Sequence, residues 1–440
     1  MRLAAFSLLG LASTAHSIST ISAYGNKFFY ENGTQFFIKG VAYQLTEDDP
    51  LLDKTQCSLD ASLMAELGAN TIRVYHVDAS SDHSDCMTVL ADAGIYVLAD
   101  LDTFDTYILP DSPYWNQTQY EKFAAVMDEF QQYDNTLGFF VGNEVIAMAS
   151  QSMAAPFIKA AARDMKAYRD SKNYRAIPVG YSAADIAELR PMLQDYLTCG
   201  GNSSDNVDFF SLNSYEWCGE TSYSTSGYAT LESEAVNFPV PIFFSETGCN
   251  TVPPRTFEDQ AAIFGDDMVN DWSGSIIYEW IEETNNYGLI SYGPAAGTST
   301  GSDIVGGYTR SGTPTPVSPD FDNLKTQWAT LTPTGIMSSD MTTGTLSTRT
   351  CPASSTGTAA WLVNGNVALP TVGETLYNGA YTTSVPTGTN AGSASGTAAS
   401  DESSSSSSSS TAKSLGAMSS SVNKVSIILV GLTLLLAVGL

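Results

Sequence analysis

Two glutamates give the first chemical clue, each closing a short apolar run, about a hundred residues apart. Phe139-Phe140-Val141-Gly142-Asn143-Glu144 is the first run, and Pro241-Ile242-Phe243-Phe244-Ser245-Glu246-Thr247-Gly248 is the second. Each reads as a buried parallel strand, rich in aromatic and β-branched residues and closed by turn residues. A carboxylate at the C-terminal tip of such a strand sits where (β/α)8 barrels place their chemistry. Two of them at one mouth suit glycosidic bond cleavage: one protonates the leaving oxygen and the other attacks the anomeric carbon. Asn143, directly before Glu144, is placed to bind a sugar 2-hydroxyl, a contact that strengthens in the transition state. Aromatic residues crowd the other strand ends, namely Tyr43, Tyr75, Tyr215, Trp217, Tyr278 and Trp280. Their faces can stack on pyranose rings and their hydroxyls can meet sugar oxygens, whereas Phe139 and Phe243, deep in their runs, read as core.

Other chemistries fit poorly. Gly180-Tyr181-Ser182-Ala183-Ala184 lacks the last glycine of a nucleophile elbow, and no histidine follows it. Glu47, Asp48, Asp49 and Asp53 do not have the spacing of an EF-hand loop. No phosphate-binding loop is present. No cofactor is called for, and with only His76 and His83 beyond the first residues, a histidine metal site is not expected.

The elements needed to position two such glutamates are legible as alternating strands and helices. Candidate strands are Phe36–Tyr43, Thr71–Val77, Ile95–Asp100, Leu137–Glu144, Ile177–Tyr181, Asp208–Tyr215, Pro241–Glu246 and Gly274–Glu279. Helical patterns fall at Ala61–Leu67, Tyr120–Tyr133, Ala154–Arg169, Ala184–Tyr196 and Phe257–Trp272. Eight strands with helices between them predict an α/β fold, a (β/α)8 TIM barrel. A doubly wound open sheet is the alternative, but no Gly-x-Gly-x-x-Gly follows any strand.

The 440 residues carry a formal net charge of -28, which argues against nucleic acid or anionic lipid as a partner. Residues 1–17 read as a secretory signal peptide: Arg2, an apolar stretch from Leu3 to Leu11, and Ala15-His16-Ser17 as the cleavage site. Export makes the six cysteines, Cys57, Cys86, Cys199, Cys218, Cys249 and Cys351, readable as disulfides, although six cysteines allow fifteen pairings. Sequons at Asn32, Asn116 and Asn202 predict N-glycosylation on the same route. The catalytic domain is expected over residues 18–335. A Thr/Gly-rich extension follows over 336–386, tied back through Cys351. Residues 387–416, with the serine run Ser403–Ser410, form a stalk that cannot offset its ordering entropy. Residues 417–440 end in the apolar stretch Val425–Leu440, preceded by a polar spacer and the small residues Ser414, Gly416 and Ala417. That order predicts a GPI-attachment propeptide, with a tail-anchored helix as the alternative. The expected location is the outer face of the plasma membrane, or the cell wall after transfer.

The longer motifs resemble one family. Val141-Gly142-Asn143-Glu144-Val145, Asn213-Ser214-Tyr215-Glu216-Trp217-Cys218-Gly219, Phe244-Ser245-Glu246-Thr247-Gly248-Cys249-Asn250 and the run from Tyr278 to Leu289 resemble the fungal GPI-anchored β-1,3-glucanosyltransferases, glycoside hydrolase family 72. Gly40-Val41-Ala42-Tyr43-Gln44, Arg73-Val74-Tyr75 and Ile177-Pro178-Val179-Gly180-Tyr181-Ser182 agree. The resemblance covers about residues 20 to 350. It implies a (β/α)8 catalytic domain with Glu144 as acid/base and Glu246 as nucleophile. It implies Tyr75, Asn143 and Tyr278 around a β-1,3-glucan donor, and Asp185 and Arg190 on the side of a β-1,3-glucan acceptor. It also implies the pairs Cys57–Cys86, Cys199–Cys351 and Cys218–Cys249. The expected reaction is elongation of cell-wall glucan by a retaining double displacement. A secreted β-glucan hydrolase and a non-catalytic wall-binding protein are the alternatives. The chain departs from longer members in lacking their cysteine-rich carbohydrate-binding module.

Overall fold

A computed structural model of the chain describes residues 18–46, 49–293, 304–377 and 380–382. The expected signal peptide, the residues Glu47 and Asp48, the stalk and the attachment propeptide lie outside the described residues.

Eight strands close a parallel barrel: β1 (Ile38–Ala42), β2 (Thr71–Val74), β3 (Tyr96–Asp100), β4 (Thr136–Asn143), β5 (Val179–Ala184), β6 (Phe209–Asn213), β7 (Ile242–Thr247) and β8 (Trp272–Ile277). They follow chain order round the barrel, and β8 pairs in parallel with β1. Every one overlaps a strand expected from sequence. Near-continuous apolar runs such as Phe209–Asn213 arise because both faces are covered.

The helices outside are α1 (Lys54–Leu67), α2 (Ser84–Asp92), α3 (Gln117–Phe130), α4 (Ala155–Ser171), α5 (Arg190–Thr198), α6 (Tyr228–Ala235), α7 (Asp259–Ile263) and α8 (Asp320–Thr330). Local chemistry sets several ends. Asp53 caps α1 by accepting from the Thr55 and Gln56 amides, and Gly68 ends it in the left-handed region that glycine tolerates. Asn116 and Gln119 form a reciprocal capping box on α3. In α4 the alanines Ala160, Ala161 and Ala162 are fully buried, which lets the helix lie close to the strands.

The differences from expectation are instructive. The expected helix Ala184–Tyr196 begins only at Arg190, because Ala184 finishes β5 by pairing with Asn213. The expected helix Phe257–Trp272 shrinks to five residues, since Trp272 already pairs with Ile242 as the start of β8. Helices α2, α6 and α8 were not foreseen, nor was the N-terminal sheet of Ile21–Tyr24, Lys27–Tyr30 and Gln35–Phe36. That sheet sends Phe28 into the barrel base, where its ring lies 6.0 Å from Phe243 and 6.3 Å from Phe209. Phe140 and Phe209 meet edge to face at 5.1 Å in the same cluster. Gly180 makes room for it, since a Cβ there would fall 2.3 Å from the Phe209 ring. The closed apolar base leaves the opposite mouth for chemistry.

Disulfides join Cys57 to Cys86, Cys199 to Cys351 and Cys218 to Cys249, the pairs implied by the resemblance. The second bridges 152 residues and fastens the extension beside α5. There Trp361 is buried against Tyr196, and Glu374–Tyr377 pairs antiparallel with Tyr114–Trp115. Asn32 and Asn202 are exposed, whereas Asn116 is half-buried as the cap of α3. No helix among the described residues is long and apolar enough to cross a membrane.

Candidate active site

The site is built from the C-terminal ends of β2 to β8. Its centre is Arg73 of β2, a fully buried cation. Nε and Nη2 clamp the two oxygens of Asp100 on β3 at 3.1 and 2.9 Å, the two-pronged geometry that makes such pairs strong. Nη2 also donates to Asn143 Oδ1 at 3.0 Å and Nη1 to Ser182 Oγ at 3.1 Å. Nη1 stands 3.7 Å from Glu246 Oε1. The guanidinium is flanked by the rings of Tyr75 and Phe140, each 4.3 Å away. Burial is the largest influence and disfavours its proton, but Asp100, Tyr75 and Glu246 together outweigh it and keep the group charged.

Glu246, at 8% exposure, takes two further donors. The Tyr75 hydroxyl donates to Oε1 at 2.9 Å and the Tyr215 hydroxyl to Oε2 at 2.8 Å. Burial raises both phenols well above their ordinary range, so each keeps its proton. Glu144 is partly open to the cleft and has one side-chain donor, Asn213 Nδ2 at 3.1 Å. Its backbone has φ of 49°, in the left-handed region that costs a non-glycine residue energy. Asn213 Nδ2 also donates to Asn143 Oδ1 at 3.0 Å, while Asn213 Oδ1 accepts from Ser182 and Ser245 at 2.9 and 2.7 Å. With its oxygen engaged twice, Asn143 has its NH2 left to offer a hydroxyl.

Electrostatics divides the two glutamates. Burial first, then the charge of Glu144, pushes Glu246 up to about 7, against Arg73 and the two tyrosines. Burial also raises Glu144, against Asn213 and Arg73. Two carboxyls so coupled titrate as a pair and share a proton near neutrality. The donors favour the anion on Glu246, which has the tyrosines and Arg73, and the proton on Glu144, which has a single amide. Asp102, just past β3, is pushed up to about 8 by burial and by Asp100.

The structure therefore brings Tyr75, Asn143, Glu144, Tyr215 and Glu246 together. Tyr278 stands beside them, its ring 6.5 Å from Tyr215 and 5.4 Å from Tyr287. Asp185 and Arg190 lie beyond β5 in a cluster of their own. They form a close ion pair, Arg190 Nε donates to Glu234 at 2.7 Å, and Asp185 accepts from Ser214 at 2.6 Å. Arg190 is 3% exposed. Two of the strand-end aromatics are not cleft walls. Tyr43 and Trp280 are buried and donate to the carboxylate of Asp60 on α1.

Reasoning from the residues missed Arg73, Asp100, Ser182, Asn213 and Ser245 as site members. Their signal was present: polar side chains interrupting runs that otherwise read as buried strand. Such groups persist in an interior only when partnered.

A parallel eight-stranded barrel with two coupled glutamates on its C-terminal mouth defines a protein of the glycoside hydrolase type. Comparison narrows the class. The glucanosyltransferase family profile, glycoside hydrolase family 72, matches residues 11–304, and the chain belongs to that family. It is 42% identical over 341 residues to 1,3-beta-glucanosyltransferase gas2 of Schizosaccharomyces pombe, across 74% of this chain and 70% of that one. It is 41% identical over 358 residues to Protein EPD1 of Candida maltosa, across 80% of this chain but 61% of the relative. The chain thus spans about three-fifths of that relative's length. A Glu→Gln variant of Saccharomyces cerevisiae Gas2p, solved with laminaritetraose and laminaripentaose, superposes with a TM-score of 0.70 at 38% identity, over 80% of this chain and 74% of that one.

Proposed function

We propose that this protein is a 1,3-beta-glucanosyltransferase that cleaves an internal β-1,3-glucan linkage and joins the new reducing end to the non-reducing end of another chain. The observation that carries this reading is the unequal partnering of two coupled carboxyls at one mouth, with donors gathered on Glu246. In the first displacement the Glu246 carboxylate forms a bond to the anomeric carbon as the glycosidic C–O bond breaks. The proton of Glu144 passes to the leaving oxygen. In the second, Glu144 takes the proton of an acceptor hydroxyl, whose oxygen displaces Glu246 and restores the original anomeric configuration. Tyr75, Asn143 and Tyr278 serve the donor glucan, and Asp185 and Arg190 serve the acceptor. Water competes at very high concentration, so transfer needs a bound and oriented sugar, which proximity can favour by several kcal/mol.

The laminari-oligosaccharides held by Gas2p support the same substrate class here. The two terminal signals support export and GPI anchoring on the outer face of the plasma membrane. The deciding experiment incubates the purified protein with reduced laminari-oligosaccharides and resolves the products by length. Products longer than the substrate are expected, and Glu246→Gln should abolish them together with donor cleavage. Only shortened products at every acceptor concentration would leave a hydrolase. No turnover would leave a glucan-binding protein.

A further inference from the structure

A third carboxyl lies behind the nucleophile and has no part in the double displacement. Glu279 follows Tyr278 just past β8 and is 5% exposed. Asn285 Nδ2 donates to its Oε1 at 2.7 Å, and Asn285 Oδ1 accepts from the Tyr287 amide at 3.1 Å. The Glu279 amide donates to the Tyr287 carbonyl at 3.1 Å, and the Leu289 amide to the Glu279 carbonyl at 3.0 Å. One carboxyl, through one asparagine, thus closes the turn that carries Tyr287. The Tyr287 ring packs edge to face on Tyr215 at 5.6 Å and on Tyr278 at 5.4 Å. Tyr215 is the residue whose hydroxyl holds Glu246 Oε2.

We propose that Glu279 is a positioning residue for the transfer reaction, which fixes the Tyr278–Tyr287–Tyr215 cluster against the nucleophile and does so as a neutral carboxylic acid. The proposal rests on the glucanosyltransferase reading for its activity arm alone. The surroundings supply the reason for neutrality. The charged and titratable groups around Glu279 are Glu246 from β7, Arg255 from the loop after β7, Glu283 from the following turn, Arg310 from the segment after it, and the phenols of Tyr278 and Tyr287. Both cations are committed: Arg310 forms a close ion pair with Glu283, and Arg255 pairs with Asp320 at 2.6 Å while donating to the Tyr278 and Gly288 carbonyls. An ionised Glu279 would add a charge that nothing balances beside Glu246. Burial first, and Glu283 second, raise its proton affinity well above the ordinary carboxyl range. Kept neutral, the acid still accepts from Asn285 through Oε1 and remains a partner for the Tyr278 phenol. It then leaves Glu246 as the one anion the cleft must use.

Glutamine keeps a carbonyl oxygen to accept from Asn285, and it cannot ionise. The test compares the parent protein with Glu279→Gln and Glu279→Ala on reduced laminari-oligosaccharides from pH 4 to pH 9, alongside thermal unfolding of each at the same pH values. Ala should lower kcat/KM at least tenfold, and Gln should recover at least fivefold of that loss. A carboxyl with raised proton affinity in the fold favours the native state below its unfolded value and loses that contribution as pH rises. The Tm of Gln relative to parent should therefore climb by a few degrees between pH 4.5 and pH 8. This arm needs no substrate, so it stands even if the parent fails to act on β-1,3-glucan. A Gln variant whose Tm follows the parent at every pH would overturn neutrality. An Ala variant with parental kcat/KM in an active protein would overturn the positioning role.

Discussion

Replacing Arg73 by methionine tests how the two glutamates are divided. The guanidinium is fully buried, and the other site residues named here supply Asp100 with no second donor. Methionine fills much of the volume but leaves Asp100 buried without a counter-charge, a change that costs about 3–5 kcal/mol of stability. Asp100 would then gain proton affinity in the fold, so the variant's stability should fall further as pH rises above about 4. Activity should fall for a separate reason. Glu246 loses its nearest cation at 3.7 Å, and Asn143 loses one of the two donors that fix its amide. Removing one preorganised electrostatic contact costs about 10²–10³-fold in rate, or ~2.7–4 kcal/mol. Without the cation both glutamates hold protons more tightly, so both limbs of the kcat/KM–pH profile should move to higher pH. Urea unfolding and pH–rate profiles on laminari-oligosaccharides measure the two effects. Adding Asp100→Asn to Arg73→Met removes the unpaired charge, so it should recover about 2 kcal/mol of stability without restoring activity. Loss of under about 1 kcal/mol, or a rate within threefold of the parent, would refute the division of labour argued here.

Two further outcomes concern the scaffold. Asp60 accepts from Tyr43, Gln56, Trp280 and Tyr292, so Asp60→Ala should lower stability by about 3 kcal/mol or more by stranding several buried donors, and Asp60→Asn by less; denaturant midpoints would read both, and equal losses would count against the four-donor account. His83 is buried between Asp49 and Glu129 at 2.8 and 2.9 Å, and although burial opposes its proton, those hydrogen bonds outweigh it and raise its proton affinity. Its contribution is full below the unfolded value near 6.5 and is lost as pH rises through the folded one, so the parent should lose more stability than His83→Gln above pH 6.5. Parallel stability–pH curves would contradict that reading.

The barrel was legible because its strands are buried on both faces. Such strands write themselves as short, near-continuous apolar runs, and all eight were visible, from Phe36–Tyr43 to Gly274–Glu279. What stayed hidden has a different cause. The pair Ala184 and Asn213 is a long-range contact, so nothing in the local pattern shows that Ala184 belongs to β5 rather than to the helix that follows. Helix α2 is nine residues long with only Cys86, Met87 and Leu90 buried, too little repetition for a period to emerge. The N-terminal sheet depends on Phe28 meeting Phe209 and Phe243, partners far away in sequence.

The site divides along the same line. Glu144 and Glu246 stood out because a charged residue ending a buried run is a local anomaly. The groups that make them unequal are distributed over the strands between, and each looks ordinary where it stands. Arg73 lies inside a four-residue strand, and Asn213 and Ser245 each end or interrupt an apolar run. Only barrel closure brings their donors within 3.1 Å of their acceptors. The same closure demotes Tyr43 and Trp280 from cleft walls to ligands of Asp60, although their position in sequence resembles that of Tyr75 and Tyr278. Strand-end placement therefore identifies which residues can reach the mouth. How two chemically identical carboxyls divide a proton is set by how many donors each receives, and that pattern is a property of the closed barrel.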